Sequence, residues 1–280
     1  YRVLVVRDGF GYGEFTRRIE VPRFLTRCDV VIRPTEFVGQ DMVTMASAEF
    51  IVGSGTEEQA PIYYERKVTL PAFQIDEAEV TNAQYREFVL ATGHRETPIW
   101  SNPYEAWMDD LPVVTVTLRD AQAYAEWAGK RLPTNWEWER AGRGLQGSLF
   151  PVAPGVLSLA DYVLDRPVDW SEWKADESPI GLFRSEYRRS VQAVRSLPEG
   201  RTAEGLYHML GNAAEWVENT CAEVSAAGSV VVRHALWLAK GSGWTCTATE
   251  LTFSGLDVIP GSDVTQDPAI GFRCARSILP

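Results

Sequence analysis

Three predicted helices between residues 81 and 144 constrain the fold of this 280-residue chain most strongly, because each carries a local signal for its start. A threonine stands where each predicted helix begins, at Thr81, Thr117 and Thr134. A threonine hydroxyl at this position accepts a hydrogen bond from the backbone of the first turn. The three helices therefore have local reasons to form before any tertiary contact is considered.

The first of these helices is predicted over TNAQYREFVLATG. Gln84 stands three residues after Thr81, the spacing of a capping box, and Gly93 follows the last apolar position as a stop. Apolar residues recur between them with the period of a helix. The predicted buried stripe is Tyr85, Phe88 and Val89.

The second and third helices follow the same logic. TLRDAQAYAEWAGK has Thr117 as its cap and Gly129 as its stop, and LPTNWEWERAGRG has Glu137 in the box position after Thr134. The inward residues of the second helix are predicted to be Ala121, Tyr124, Ala125 and Ala128.

The rest of the chain predicts short strands and long loops. YRVLVV and RRIEV are predicted strands around the glycine-rich hairpin turn DGFGYG, and DVVIRP is a predicted third strand. ALWLAKG and GFRCARSI are predicted buried strands, residues 145–205 long irregular loops, and residues 245–269 a polar surface excursion. The prediction is an α+β fold with much irregular structure, divided into a small β-rich segment, 1–38, and a main domain, 39–280.

Charge and residue composition exclude several classes of function. The net charge is −11 and the isoelectric point about 4.9, without a basic run to neutralise phosphates, so nucleic acid is not an expected partner. No apolar segment approaches the roughly 18–20 residues that cross a bilayer, and no signal-peptide pattern opens the chain. Because the first residue is Tyr1, we expect the chain to be a piece of a longer polypeptide.

The cysteines and histidines predict no zinc knuckle and no histidine-based metal centre. The three histidines form no HxxxH or HExxH pattern, and the four cysteines lie far apart without CxxC spacing. Without an evident framework of cysteine pairs, a reducing compartment such as the cytoplasm is favoured. The four cysteines are Cys28, Cys221, Cys246 and Cys274.

Five phrases in this order resemble the signature blocks of the formylglycine-generating enzyme, or sulfatase-modifying factor, domain. They are EVTNAQYREFV, PVVTVTLRDAQAYAEWAGKRLPTNWEWERAGRG, GLYHMLGNAAEWVENT, KGSGW and GFRCAR, and they cover roughly residues 42–280. The resemblance implies a C-type-lectin-like fold. It does not choose a function, because the superfamily includes copper-dependent oxidases, sulfoxide synthases and non-enzymatic binding modules.

The resemblance places a copper site at KGSGWTC, and the sequence departs from it. In the oxidases two cysteines five residues apart hold Cu(I), which soft thiolates bind well. Here Cys246 takes the first position and Leu251, which has no donor atom, takes the second. Copper is therefore not expected. Cys246 is catalytic only if the chain is an oxidase that uses a different residue as its second copper ligand.

The resemblance also places a calcium site in HMLGNAAEW. Its ligands would be the carbonyl oxygens of Gly211 and Ala213 and the carboxylate of Glu215, oxygen donors of the kind that calcium prefers. His208 stands where the family tends to have an asparagine ligand. The alternative is that Glu215 accepts hydrogen bonds from the protein and Trp216 packs in the core.

The leading hypothesis from the sequence is a non-catalytic recognition or regulatory module whose polar face lies within residues 244–269. A protein or a small ligand would bind there, because the segment offers mixed aromatic and acidic contacts. The rival hypotheses are a copper-dependent oxidase and a purely structural domain. The candidate ligand-binding residues are Trp244, Thr245, Cys246, Glu250, Phe253, Asp257 and Asp263.

The amino-terminal strands indicate one host for such a module. YRVLVVRDGFGYGEFTRRIEV resembles the β segment that often links a bacterial serine/threonine kinase domain to a formylglycine-enzyme-like domain. A diversified retroelement binding protein is a second variant, since those proteins also end in a variable stretch closed by GFR. The asparagine-rich pattern of such a variable region is missing from this sequence.

Overall fold

The computed structural model describes residues 2–7, 11–16, 41–53, 65–148, 179–218, 222–224, 230–232, 237–245, 257–259 and 266–278. Within them, four α-helices and thirteen short strands form a mixed α+β architecture, as predicted. The helices are α1 (Asn82–Thr92), α2 (Leu118–Trp127), α3 (Asn135–Arg143) and α4 (Pro179–Ser190). The strands are β1 (Arg2–Arg7), β2 (Gly11–Thr16), β3 (Met42–Met45), β4 (Ala48–Val52), β5 (Arg66–Leu70), β6 (Phe73–Asp76), β7 (Ala214–Val217), β8 (Ala222–Val224), β9 (Val230–Val232), β10 (Trp237–Lys240), β11 (Asp257–Ile259), β12 (Ile270–Gly271) and β13 (Ala275–Ser277).

Two small sheets organise the main domain. The first has the strand order β11-β10-β7-β12, in which β12 pairs parallel to β7 and the other neighbours are antiparallel. The second has the order β13-β6-β3 and is antiparallel throughout. Three separate antiparallel pairs, β1-β2, β4-β5 and β8-β9, complete the strands of the described residues. The predicted buried strands ALWLAKG and GFRCARSI supply β10, β12 and β13.

The predicted amino-terminal hairpin is confirmed, with a shift in its second strand. Strand β2 begins at Gly11, inside the segment predicted as the turn, and pairs antiparallel with β1. The RRIEV and DVVIRP segments lie outside the described residues.

Capping boxes open α1, α2 and α3; those of α1 and α3 were predicted, whereas for α2 the sequence predicted the Thr117 cap but not its box partner Asp120. Thr81 and Gln84 bind each other's backbone N–H groups at 3.1 and 2.9 Å, and Thr134 and Glu137 do the same at 3.1 and 2.9 Å. Gly93 ends α1 in the left-handed conformation with φ of 71°, which glycine adopts without steric cost. These boundaries are local properties of the sequence, which is why they were predictable.

The expectation of irregular structure through residues 145–205 was wrong for residues 179–190. Helix α4 occupies Pro179–Ser190 there, whereas residues 149–178 lie outside the described part of the chain. The helix is anchored by Tyr187, which is fully buried and donates its hydroxyl hydrogen to the Pro112 carbonyl at 2.6 Å. This contact spans 75 residues, and sequence periodicity contains no information about such a partner.

Helices α1 and α2 pack against the first sheet through aromatic side chains. The rings of Tyr85 and Tyr124 stack at 6.0 Å, and Phe272 makes edge contacts with both of them. A second apolar cluster surrounds Trp138 of α3 and Phe73 of β6. No described helix has the length and apolar character that crossing a membrane demands.

Strand β12 approaches a neighbouring backbone segment at Gly271. A Cβ atom at this position would lie 2.4 Å from the carbonyl oxygen of Val113 and 3.5 Å from Cβ of Ala213. A backbone oxygen has no rotamer by which to move aside, so only glycine fits here.

We expect Gly271→Ala to destabilise the protein by about 2–3 kcal/mol, because β12 has to move away from residue 113. Urea unfolding of the variant and of wild type measures this difference. Gly129→Ala is the control, since its Cβ meets nothing within 4 Å and only its φ of 71° opposes alanine, at a cost of about 1 kcal/mol. Equal stability of the two variants would show that β12 tolerates the added atom.

Candidate functional site

The segment KGSGWT leaves the middle of the first sheet and enters the predicted ligand face. Lys240 is the last residue of β10 and lies opposite Glu215 of β7 in the strand register. Gly241 follows with φ of 92°, and a Cβ there would lie 2.9 Å from the Trp138 ring. The sheet and α3 thus determine where the segment leaves the core.

The two ends of the predicted excursion meet at one place. The backbone N–H of Trp244 donates to the carbonyl of Asn212 at 2.9 Å, and its indole N–H donates to the carbonyl of Pro268 at 3.0 Å. Ala214 donates its N–H to the carbonyl of Ala269 at 2.9 Å. We call residues 212–214 and 267–270 the platform, because they bind both the start and the end of the predicted excursion.

The structure separates the predicted ligand-binding residues into three groups. Trp244 is only 3% exposed and packs in the core, and Thr245 beside it is half-buried. Asp257 begins β11 and pairs with Ala239. The remaining four, with the Leu251 position, lie outside the described residues: Cys246, Glu250, Phe253 and Asp263.

Three non-glycine residues near the platform have left-handed backbones, which sequence reasoning did not find. They are Thr115, Asn212 and Ser242, with φ of 61°, 59° and 57°. Thr115 donates its N–H to the Asp267 carbonyl at 3.2 Å, and its buried hydroxyl oxygen has no hydrogen-bond partner. Such backbone strain costs energy and tends to occur at ligand clamps and switch regions. For a β-branched residue like Thr115, no sequence pattern signals this conformation.

A buried ion pair lies beneath the platform. Arg273 is fully buried, and its Nε and Nη2 atoms donate to the two carboxylate oxygens of Glu215, both at 2.7 Å. The same guanidinium also donates to the carbonyls of Tyr207 at 2.8 Å, Asp76 at 3.2 Å and Glu77 at 3.3 Å. One cation therefore joins three segments that are distant in sequence.

Glu79 is a second buried carboxyl group next to this pair. It accepts hydrogen bonds from Asn212 Nδ2 at 3.0 Å and from the Ala213 N–H at 3.3 Å. Burial, and secondly the negative charge of Glu215, hold the pKa of Glu79 well above its ordinary value, whereas Arg273 opposes the shift. The raised pKa favours the protonated form of Glu79.

A third buried charge cluster fixes Lys240 itself. Its Nζ atom donates to Glu139 Oε2 at 3.1 Å, and both side chains are fully buried. Arg143 pairs with the other oxygen of Glu139 and donates to the Gly53 carbonyl at 2.6 Å. The KGSGWT segment thus starts from a residue that cannot move without leaving charges unpaired.

The predicted calcium ligands do not fit a calcium ion in this arrangement. Both oxygens of Glu215 serve Arg273, and one also accepts from the Trp138 indole at 2.7 Å. A divalent ion at this carboxylate would lie beside the guanidinium in a poorly solvated interior, where like charges repel strongly. Gly211 and Ala213 lie in the adjoining turn, where their N–H groups donate to Gly241 and Glu79. Across the described ranges, no group of three or more His, Cys, Asp and Glu side chains is arranged to hold a metal.

The cysteine that the structure describes is unsuited to copper. Cys274 is a free, fully buried thiol, and its backbone N–H donates to Asp76 at 2.9 Å. Burial, and secondly the charge of Asp76, raise the pKa of this thiol well above its ordinary value, so the thiolate that a soft metal needs is disfavoured.

Comparison with known proteins identifies relatives along most of the chain. The family model described as the sulfatase-modifying factor enzyme 1-like domain matches residues 29–278. The formylglycine-generating enzyme of Streptomyces coelicolor is 36% identical over 302 aligned positions, covering 87% of this chain and 91% of that protein. The inactive C-alpha-formylglycine-generating enzyme 2 of Bos taurus is 28% identical over 285 positions, covering 84% of this chain and 87% of that protein.

The fold is similar to that of a solved structure of low sequence identity. PvdO from Pseudomonas aeruginosa superposes with a TM-score of 0.61 at 21% identity, covering 85% of this chain and 94% of that one. At this level of identity the similarity concerns the fold alone.

We expect Glu79→Gln to remove a pH dependence of stability. Between the ordinary glutamate pKa of 4.5 and the raised pKa in the folded state, the folded chain holds the extra proton. The stability associated with this proton is complete below pH 4.5 and is lost as the pH rises through the folded pKa, with a slope of at most about 1.4 kcal/mol per pH unit.

Urea unfolding at several pH values above 4.5 measures this slope in wild type and in the variant. Glu77→Gln is the matched control, since the Glu77 side chain is 28% exposed and pairs with Arg195 at the surface. An unchanged slope in Glu79→Gln would mean that Glu79 is ionised in the folded protein.

We expect Glu215→Gln to destabilise the protein by about 3–5 kcal/mol, because it leaves the buried Arg273 guanidinium without its counter-charge. Chemical denaturation measures the loss. Glu49→Gln breaks an ion pair with Lys67 whose side chains are 59% and 68% exposed, and it should cost at most about 1 kcal/mol. Equal effects of the two variants would contradict a dominant role for the buried pair.

Proposed function

The chain belongs to the sulfatase-modifying factor enzyme 1-like family, and we propose that it serves there as a recognition or regulatory module without copper chemistry. The observation that carries the proposal is Leu251, which stands five residues after Cys246 where the oxidases have their second thiolate. A hydrocarbon side chain cannot donate electrons to Cu(I), so this segment cannot form the two-thiolate site. One similar protein bears the name inactive C-alpha-formylglycine-generating enzyme 2.

The platform supports a binding role for the segment that it holds. Because Trp244 is tied to both Asn212 and Pro268, the two ends of the segment 244–268 lie next to each other on the platform. A loop that emerges from a rigid scaffold is the usual place for binding residues. In sequence, this segment carries the acidic residues Glu250, Asp257 and Asp263 together with Phe253, so its ligand should complement mixed acidic and aromatic contacts.

A bacterial serine/threonine kinase is our proposed host polypeptide. Its support is the resemblance of the amino-terminal segment to the β linker of such kinases, and β1 and β2 do form an antiparallel pair. In that setting the module would dock a substrate or sense a ligand for the kinase.

The oxidase alternative keeps one observation in its favour, the cysteine at position 246. Cu(I) titration under reducing conditions, with oxygen uptake on a cysteine-containing peptide, separates the two functions. We expect wild type and Cys246→Ala to behave alike, with no tight one-to-one binding and no oxygen consumption. Leu251→Cys is the positive control, since it supplies the second thiol. If wild type binds Cu(I) tightly and takes up oxygen, and Cys246→Ala does neither, the proposal of a module without copper chemistry is wrong.

Recognition itself can be tested on an array of immobilised peptides of varied sequence. We expect wild type to bind a subset of peptides, and the triple variant Glu250→Ala, Phe253→Ala, Asp263→Ala to lose at least tenfold in signal. The melting temperature should stay unchanged, and it is measured for both proteins so that loss of binding is distinguished from loss of folding. Equal binding by both proteins, or none by wild type, would favour a purely structural domain.

A further inference from the structure

We propose that the surface formed by Ser101, Trp107, Arg184 and Arg188 binds a phosphorylated side chain of a protein partner, and that Glu105 occupies this surface when the partner is absent. We call these four residues the anion surface. It contains none of the platform residues, and the proposal does not rest on the function proposed above.

The anion surface stabilises a negative charge that its own chain supplies. The Oε2 atom of Glu105 accepts hydrogen bonds from the Trp107 indole N–H at 3.1 Å and from the Ser101 hydroxyl at 3.3 Å. The pKa of Glu105 is lowered, first by the Trp107 hydrogen bond and further by the Ser101 hydrogen bond. The charges of Arg188 and Arg184 also lower it. Two neutral donors and two cations therefore act on one carboxylate.

Each of the two arginines has hydrogen-bond donors without an acceptor. Arg188 is exposed, and its guanidinium lies 4.9 Å from the centroid of the Trp107 ring. None of the residues that the structure describes offers this guanidinium a hydrogen-bond acceptor or an ion pair. Arg184 donates from Nε to the Ile99 carbonyl at 2.8 Å and from Nη2 to the Trp100 carbonyl at 2.7 Å. Its Nη1 atom has no acceptor among the same described residues.

The donors are held in place and can be reached from solvent. The two backbone carbonyls fix Arg184, and Trp107 packs against the fully buried Tyr187 ring with 6.4 Å between the centroids. Glu105 and Arg188 are exposed, and the other members of the anion surface are half-buried. A partner can therefore reach the donors when the Glu105 side chain rotates away. A site whose side chains are already ordered loses less entropy on binding.

A phosphate group can use these donors better than a carboxylate does. Both hydrogen bonds of Glu105 go to one oxygen, and neither of them comes from an arginine. A phosphorylated side chain carries about −1.5 to −2 charges at pH 7 and three acceptor oxygens, so it can accept from the indole and from both guanidinium groups at once. The Ser101 hydroxyl bond at 3.3 Å is longer than an ordinary O–H···O bond. Little is lost when Glu105 leaves.

The exposure of the anion surface favours a polypeptide as the carrier of the phosphate. A free small ligand usually lies in a concave site that buries most of its surface. Arg188 and Glu105 are exposed side chains of a helix and of a loop, so a free phosphate bound to them would keep much of its surface in water. Clusters of arginine recognise phosphorylated segments of proteins, because the flanking residues of the segment add further contacts.

The test uses a set of nine-residue phosphoserine peptides with varied flanking sequences, each also made with Ser and with Glu in place of phosphoserine, and inorganic phosphate alone. The ¹⁵N-labelled indole groups of the full chain are observed by NMR, and the Trp107 signal is identified by its loss in Trp107→Phe. We expect at least one phosphopeptide to shift this signal. It should bind about tenfold more tightly than its Ser and Glu versions and than inorganic phosphate.

Three variants test the roles of single side chains. Arg188→Gln should weaken binding of that phosphopeptide about tenfold, since it removes a charged donor and keeps a polar side chain. Arg189→Gln is the matched control, because Arg189 is the next residue of α4 and pairs with Glu186 at 2.9 Å. Glu105→Gln should strengthen binding about threefold, because the negative charge that competes for the donors is removed.

Equal binding by Arg188→Gln and Arg189→Gln, or weaker binding by Glu105→Gln, would overturn the proposal. An equal affinity for the phosphopeptide and its Glu version would do the same. If inorganic phosphate binds as tightly as every phosphopeptide, the protein partner is wrong and the ligand is a free phosphate. If no probe shifts the Trp107 signal, the anion surface binds no phosphate. The melting temperature of each variant is measured first, so that loss of binding is not confused with loss of folding.

Discussion

The buried pair of Arg273 and Glu215 is the interaction on which the rest of the main domain depends. A guanidinium without access to water must find acceptors inside the protein, and here it finds them on β7, at the end of β6 and on the residues before the platform. Since removing one partner of a buried pair costs far more than a surface pair contributes, these segments cannot separate independently. The pair is weak evidence for high stability and stronger evidence for one specific arrangement of segments.

This arrangement determines the geometry of the platform. Glu215 lies between Lys240 of β10 and Gly271 of β12 in the strand register, so its position controls both strands that lead to the predicted ligand face. Lys240 is neutralised by Glu139 of α3, and Trp138 of the same helix donates to Glu215. The charges below the platform therefore form a connected network in which α3 is the common neighbour. A substitution in the network should disturb the platform even when it lies far from residues 244–269.

The sequence could predict what is encoded locally. The capping boxes at Thr81 and Thr134 involve residues three positions apart, so their spacing alone identifies them. Helix α4 was missed because its anchor, Tyr187, binds residues 75 and 105 positions away. The Arg273–Glu215 pair spans 58 positions and has no periodic signal. The motif around Glu215 predicts a functional role for its carboxylate. The sequence does not identify Arg273 as the partner of that carboxylate, and whether Glu215 can bind calcium depends on this partner. The left-handed backbone of Thr115 is likewise a product of tertiary contacts with the segment 266–267.

The same division between local and distant contacts explains how the ends of the predicted ligand face are held in place. The described contacts that hold the platform involve Trp244, Asn212 and Pro268, together with the network around Arg273. A scaffold with these properties suits recognition, where the framework must stay constant and the contact residues must differ from one partner to another.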